Sequence, residues 1–452
     1  MSKLGCLAAA GCLVFAATCA DPALAQNAMP STPTVGQPFS LAADATMTGN
    51  VANATMTGNG AQPAPPAASA RNEPSPYQLN LLFTGELWNN PVGGLHQGTV
   101  FMYNVDGRLT VDTERAFGWT GGQFVLEGFY ESYNSLNDSF VGAAEEQSPI
   151  DSACCAIARL YQFYYDQKLG ATDLRFGIYD LETEFSSLKP MALFLSKNLT
   201  WNTALDQSGT ASTEGTIGPG NYPYTPLAFR IRETLSPQWS VQFVIADGAA
   251  DDPNRPQDNG VFFSSKYGAF MIGEVDYTPT RYTKVMGGFW GLTAKLPTND
   301  IFNADGSPRD TYGDEGGYIG ATTRLYSAGG RRGLDAFFTA GLANGKSTDI
   351  NKSLNGGLVY TGLFNARPDD KLGLSFNVNS NPASFRQEVL SDTGVNIGTC
   401  EPSFELTYRA IIFDWLTVQP DIQYIVHPSY DPTLRNDFVI GLHFEIGHLF
   451  NL

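Results

Sequence analysis

Along most of the chain, hydrophobic and polar residues change places at every second position. The last stretch shows this most plainly. Phe438, Ile440, Leu442, Phe444, Ile446, Phe450 and Leu452 fall on one side, and Val439, Gly441, His443, Glu445 and Gly447 on the other. Side chains of a strand point alternately to its two faces, so this is a strand with one greasy face and one small or polar face. Just before it, Val418, Ile422, Tyr424 and Val426 oppose Gln419, Asp421, Gln423 and His427. A polar loop carrying Pro and Asp joins the two runs, which predicts an antiparallel hairpin. A greasy face turned to lipid and a polar face turned to water would place that hairpin in a transmembrane β-barrel.

The pattern returns throughout. Alternating runs cover 77–90, 98–112, 122–133, 157–169, 174–185, 224–235, 239–247 and 267–278. They continue at 281–294, 316–327, 334–344, 354–364, 371–380, 401–412, 415–427 and 437–450, about sixteen in all. Their connections alternate as well. Short ones such as 170–173, 236–238 and 279–280 exchange with long ones near 134–156, 186–223, 248–266, 295–315 and 381–400. Short turns at one end and long loops at the other are the habit of outer-membrane barrels, and a soluble sandwich has no reason to sort its loops so. In hydrocarbon every backbone N–H and C=O needs a partner, so strands span only as a closed sheet. The expected fold is therefore all-β, a transmembrane antiparallel barrel of about sixteen strands over 77–452, wide enough for an aqueous channel.

Composition narrows the function. A net charge of −18 excludes nucleic-acid binding, which needs a basic surface. Lys3, the apolar run that follows it and Ala23-Leu24-Ala25 read as a secretory signal peptide over 1–25, too short to span a bilayer. No later run reaches about 18 apolar residues, which excludes a helical inner-membrane protein. Residues 26–76 are rich in Ala, Pro and Thr, with ATMTGN at 45–50 and again at 54–59, and predict a disordered arm. Cys154, Cys155 and Cys400 remain beyond the leader. They could form one bridge with a spare thiol or stay unpaired.

Several segments resemble the carbohydrate-selective porin (OprB) family. These are YTGLFNARPDDKLGLSF at 360–376, with Arg367, Asp369, Asp370 and Gly373, and WLTVQPDIQYIVHP at 415–428, with Gln419, Pro420, Gln423, Tyr424 and Pro428. LTVDTERAFGW at 109–119, LRFGIYDLETEF at 174–185 and YPYTPLAFRIRETLSPQWSVQFVIADG at 222–248 are similar too. Two features depart from the family. The chain ends Phe-Asn-Leu rather than on an aromatic residue, and His443 stands where Arg is frequent. The resemblance implies a sixteen-stranded outer-membrane barrel of a Gram-negative bacterium that passes glucose and related sugars into the periplasm, with no reaction and no cofactor. It also implies dealings with outer-membrane lipid, lipopolysaccharide and the barrel-assembly machinery, as a monomer or homotrimer. A general or anion-preferring porin is the alternative. An outer-membrane barrel enzyme would need a Ser/His/acid set that no motif offers.

A sugar channel needs a wet constriction bearing hydrogen-bond donors and acceptors. Arginine suits it, since its planar fork grips two hydroxyls while staying charged. The phase of the strands turns Arg108, Arg175, Arg230, Arg232, Arg324 and Arg409 to the lumen, with Glu127, Glu131, Glu274, Glu405 and Asp421 as counter-charges. A mid-strand Arg on the lipid side would cost about 2–4 kcal/mol. The expected sugar-contacting set is Arg108, Glu127, Arg175, Arg230, Arg232, Glu274, Arg324, Glu405, Arg409 and Trp201. The competing reading of these charges is a structural network of ion pairs in the wall. The 186–223 segment, with Lys189, Trp201, Asn202 and Asp206, is the candidate for a loop folded into the channel. Trp88, Trp119, Trp239 and Trp415 read as interface girdle residues. His96, His427, His443 and His448 have no metal-ligand spacing.

Overall fold

The computed structural model describes residues 75–151, 157–209, 216–220, 222–252, 254–255, 261–299, 302–307 and 309–452. The expected leader and nearly all of the expected arm lie outside the described residues. Sixteen strands form a closed barrel in which each pairs with its chain neighbours, and the first pairs with the last. They are β1 (Tyr77–Val92), β2 (Gly98–Asp112), β3 (Gly122–Glu131), β4 (Ile157–Leu169), β5 (Thr172–Ile178) and β6 (Leu227–Ser236). Next come β7 (Trp239–Asp247), β8 (Ala269–Thr280), β9 (Thr283–Leu296), β10 (Thr311–Gly329) and β11 (Arg332–Ala343). The set ends with β12 (Lys352–Thr361), β13 (Lys371–Ser380), β14 (Cys400–Phe413), β15 (Leu416–Ile425) and β16 (Asp437–Asn451).

The closing seam runs antiparallel from Gln78 opposite Asn451 to Val92 opposite Phe438. Closure leaves no sheet edge, which is what a strand in hydrocarbon requires. The outer face carries Leu81, Phe101, Phe176, Phe289, Ile319, Leu374, Leu406 and Ile440, all 40% exposed or more. Gln419, Asp421, Gln423 and His443, in the opposite phase, are 1–2% exposed because loops cover them from inside. Alternation thus sorts side chains between two solvents, as the sequence predicts.

Both described chain ends and the short turns lie at one end of the barrel. The long loops lie at the other, and two of them matter for function: residues 132–156 (L2) and 179–226 (L3). The structure corrects one boundary here. The alternation of 174–185 predicts a long strand, whereas β5 stops at Ile178. Gly177 has φ +144°, and a Cβ there would lie 2.2 Å from the Phe163 carbonyl oxygen. Beyond it Tyr179, Leu181 and Phe185 keep the alternating pattern but pack into an apolar cluster inside the barrel with Trp201, Leu205, Phe270 and Trp290. The same spacing served burial under a loop rather than exposure to lipid.

Trp88 is a second correction. It is wholly buried, on the lumen side beside Glu86, with its ring against Gly441 where a Cβ would not fit. Trp119, Trp239 and Trp415 are 44–57% exposed at the short-turn end, as girdle residues are. Cys400 is disulfide-bonded, and every other cysteine of the chain lies outside the described residues.

Candidate channel constriction

L3 is strung across the barrel interior. Near its start the Ser186 backbone N–H donates to Glu274 Oε2 of β8 at 2.8 Å. At its far reach Leu195 and Ser196 donate their N–H groups to the two carboxylate oxygens of Glu405 on β14, at 2.7 and 3.1 Å. Gln419 of β15 donates to the Leu193 carbonyl at 2.7 Å. Between these anchors Asn198 takes Asn355 on its carbonyl (2.9 Å) and Asn379 on its side-chain oxygen (2.6 Å). Lumen-facing polar positions of five strands, β8 and β12 to β15, are thus consumed in holding the loop, most of them by satisfying backbone groups that would otherwise be orphaned.

L2 backs L3. The Lys197 N–H donates to the Glu146 carbonyl at 3.0 Å, and its ammonium lies 3.4 Å from the Glu146 carboxylate. Burial pushes the Glu146 carboxyl up to about 8, Lys197 opposing it. Gln207 of L3 donates to Glu145, and Gln423 of β15 donates to the Gln147 carbonyl at 2.8 Å.

The expected arginines fall into three places. The first is a ladder on β2–β6. Arg108 pairs with Glu127 at 3.0 Å and donates to the Tyr164 hydroxyl at 3.0 Å. Arg175 grips both oxygens of Asp166 at 2.7 and 2.8 Å, pairs with Glu184 at 2.9 Å and stacks 4.0 Å over the Tyr164 ring. Arg230, directly opposite Arg175, is 3% exposed and bonds Glu184 and Asp173. Two like charges side by side are tolerable because Asp166, Asp173 and Glu184 converge on them. Arg232 lies one position further along the same face, opposite Asp173 and exposed.

The second place is the short-turn rim. There Arg324 grips Asp335 bidentately at 2.8 Å and stacks 4.1 Å over Tyr282. The third is the β14–β16 wall, where Arg409 pairs with Glu445 at 2.9 Å. The structure does not gather these residues into one cluster. Glu274 and Glu405 hold L3, and Trp201 is 1% exposed, its indole N–H on Asp206 at 2.7 Å, inside L3.

A pocket remains beside L3, lined on the wall by Arg409, Gln419, His443 and Glu445, and on the loops by Glu182, Thr183, Ser187, Leu193, Phe194, Leu195, Thr200 and Pro149. The wall side is polar, and the loop side mixes Glu182, Thr183, Ser187 and Thr200 with the apolar Pro149, Ala192, Leu193, Phe194 and Leu195. His443 Nδ1 lies 2.7 Å from Glu86, and its Nε2 lies 3.5 Å from Glu445. Sequence reasoning placed His443, Glu445 and Gln419 on the polar face without including them in the site. Their phase was the available signal; their meeting with L3 was not visible. Among the described residues no group of His, Cys, Asp and Glu is arranged to hold a metal ion.

A model of a protein family described as carbohydrate-selective porin, OprB family, matches residues 102–447. Porin B of Pseudomonas aeruginosa is 25% identical over 404 residues, covering 81% of this chain and 86% of that one. Among solved structures, Pseudomonas putida OprB at high pH is similar with a TM-score of 0.72 at 22% identity, covering 82% of this chain and 94% of that one. Its low-pH structure matches with a TM-score of 0.50 at 19% identity, covering 82% and 92%.

Proposed function

Because the chain belongs to the carbohydrate-selective porin (OprB) family, it is a sugar-selective outer-membrane porin, and we propose that glucose and related neutral sugars cross it at the pocket between L3 and the β14–β16 wall. The observation that carries this reading is the anchoring of L3 on Glu274 and Glu405, which narrows a barrel otherwise wide enough for open diffusion. The pocket left beside it has the two-sided character of a pyranose. Leu193, Phe194, Leu195 and Pro149 offer an apolar surface, and Arg409, Gln419 and Thr200 offer donors and acceptors.

In this reading Arg409 meets sugar hydroxyls, and the Arg108, Arg175 and Arg230 ladder with Glu127 forms the polar wall along the path. Arg232 and Arg324 stand at the periplasmic mouth. Glu274, Glu405 and Trp201 act at one remove, by holding L3 in shape. The finer setting belongs to the proposal as well: export by the leader at 1–25, insertion by the barrel-assembly machinery, outer-membrane lipid and lipopolysaccharide around the barrel, and function as a monomer or homotrimer.

Purified protein in planar bilayers tests the reading. Ion current should fall saturably as glucose is titrated in, and less so for Arg409→Ala. A current insensitive to sugar would overturn it.

A further inference from the structure

Glu86 and His443 stand directly opposite one another across the closing seam of the barrel, on the lumen side of β1 and β16. His443 Nδ1 lies 2.7 Å from one Glu86 oxygen, and its Nε2 lies 3.5 Å from Glu445, two residues along the same face. The imidazole is 2% exposed and Glu86 is fully buried. Both ring nitrogens therefore lie against carboxylates. A neutral imidazole has one N–H, so its bare nitrogen would set a lone pair against a carboxylate oxygen; the imidazolium donates on both sides. Among the described residues, His443 is the only ion-pair partner of Glu86.

The two carboxylates lead in different directions. The second Glu86 oxygen receives the Trp88 indole N–H and the Ser148 hydroxyl of L2. The second Glu445 oxygen receives Arg409 of β14 at 2.9 Å. A continuous polar chain thus runs from L2 across the seam to the arginine beside L3, through Ser148, Glu86, His443, Glu445 and Arg409. His443 is its middle link.

Resting on the porin reading above, we propose that His443 is a positioning residue for sugar passage, whose positive charge ties Glu86 to Glu445 and so fixes the seat of L2 and the aim of Arg409 into the pocket. Without that proton, Glu86 is a buried carboxylate facing neutral donors alone, and the seam and Ser148 must shift to hydrate it. Glu445 is then free to follow Arg409. Sugar binding and the His443 proton are linked, and each strengthens the other. The remaining charged groups nearby do not replace it. Arg409 of β14 is engaged by Glu445, and Lys197 of L3 pairs with Glu146 of L2. Asp151 of L2, Glu182 of L3, Glu405 of β14 and Asp421 of β15 are acidic.

Glucose block of the purified channel in planar bilayers, read from about pH 5 to about pH 10, tests this with wild type, His443→Gln and His443→Arg. Gln keeps a hydrogen bond and loses the charge, whereas Arg keeps a charge at every pH and has donors for two carboxylates. Wild-type block should weaken in a single-proton step as pH rises, by at least about fivefold, the lower end of usual coupling between linked sites. His443→Arg should lack that step and block more strongly than His443→Gln at every pH. His443→Gln should lack it too and stay near the weakened value. Any dependence shared by all three belongs to other groups. The proposal is overturned if wild type and His443→Arg run parallel in pH, or if His443→Gln blocks as strongly as wild type. Should one variant fail to form channels, the other decides against wild type by the same criterion. Absence of block in wild type at every pH overturns the porin reading instead.

Discussion

The backbone N–H of Leu195 donates to the carboxylate of Glu405 across 210 residues of chain, from the middle of L3 to the far wall. Ser196 takes the other oxygen of the same group. One side chain therefore satisfies two loop donors that have no secondary-structure partner. Glu405→Ala orphans both, at about 1–3 kcal/mol each. L3 should lose its far anchor while the barrel, held by its ladders, still assembles. The expected result is a several-fold rise in single-channel conductance with weaker glucose block. Wild-type conductance in this variant would show that L3 holds its place without Glu405.

Arg230 and Arg232 sit two residues apart on one face yet should behave differently. Arg230 is 3% exposed between Glu184 and Asp173, and removing it leaves two partly buried carboxylates without their shared counter-charge. Breaking such a pair costs about 3–5 kcal/mol, so Arg230→Ala should lower the temperature at which the detergent-solubilised barrel unfolds. Arg232→Ala, at an exposed position, should leave that temperature close to wild type. The double variant should then match Arg230→Ala in stability, and any further loss of sugar block would report Arg232 at the mouth. Thermal melts followed by circular dichroism, with conductance on the same samples, separate the two residues.

The strands were legible because alternation is a one-dimensional signal: β2, β4, β7 and β13 begin and end where the pattern does. The lumen phase of Arg108, Arg175, Arg230 and Arg409 was legible for the same reason. Which of them meet was not. Arg175 faces Arg230 only through the register of β5 with β6, and Glu184 reaches both only because the chain turns inward after Gly177. Trp88 misled because its position near a strand end says nothing of the Gly441 opposite that makes room for it inside. Contacts made by L3 join residues hundreds of positions apart, and no local pattern carries them.

The tie between L2 and L3 should depend on pH. Burial raises the Glu146 carboxyl to about 8 in the folded protein, against about 4.3 when unfolded. The folded state therefore binds the extra proton between those values, and stability falls as pH rises through that window. The contribution is complete below about pH 4.3 and lost above about pH 8. L3 should accordingly be quieter in mild acid, with brief closures becoming more frequent from pH 5 towards about pH 8. Glu146→Gln, which cannot ionise, should remove that part of the dependence. Closure frequency against pH in single-channel records, wild type beside variant, checks it; parallel curves would assign the dependence to other groups.

Gly177 is where wall becomes loop, and its substitution tests whether the inward turn of L3 is written locally. At φ +144° an L-residue is strained, and any Cβ would meet the Phe163 carbonyl oxygen at 2.2 Å and the Tyr164 backbone at 2.6 Å. A β-branched residue prefers extended strand, and the alternation of 174–185 is already compatible with one. Gly177→Val should therefore draw residues 179–185 towards the wall and pull Tyr179 and Phe185 out of the cluster around Trp201. Glu184 would then be withdrawn from Arg175 and Arg230, and Ser186 from Glu274. The variant should show a wider, noisier channel with glucose block largely lost, while strand content by circular dichroism stays the same. Gly177→Ala, which adds the same clash without the β-branch, should show a smaller change in the same direction. If both variants keep wild-type conductance and block, the inward turn is held by the L3 anchors on β8 and β14 rather than by the backbone at Gly177.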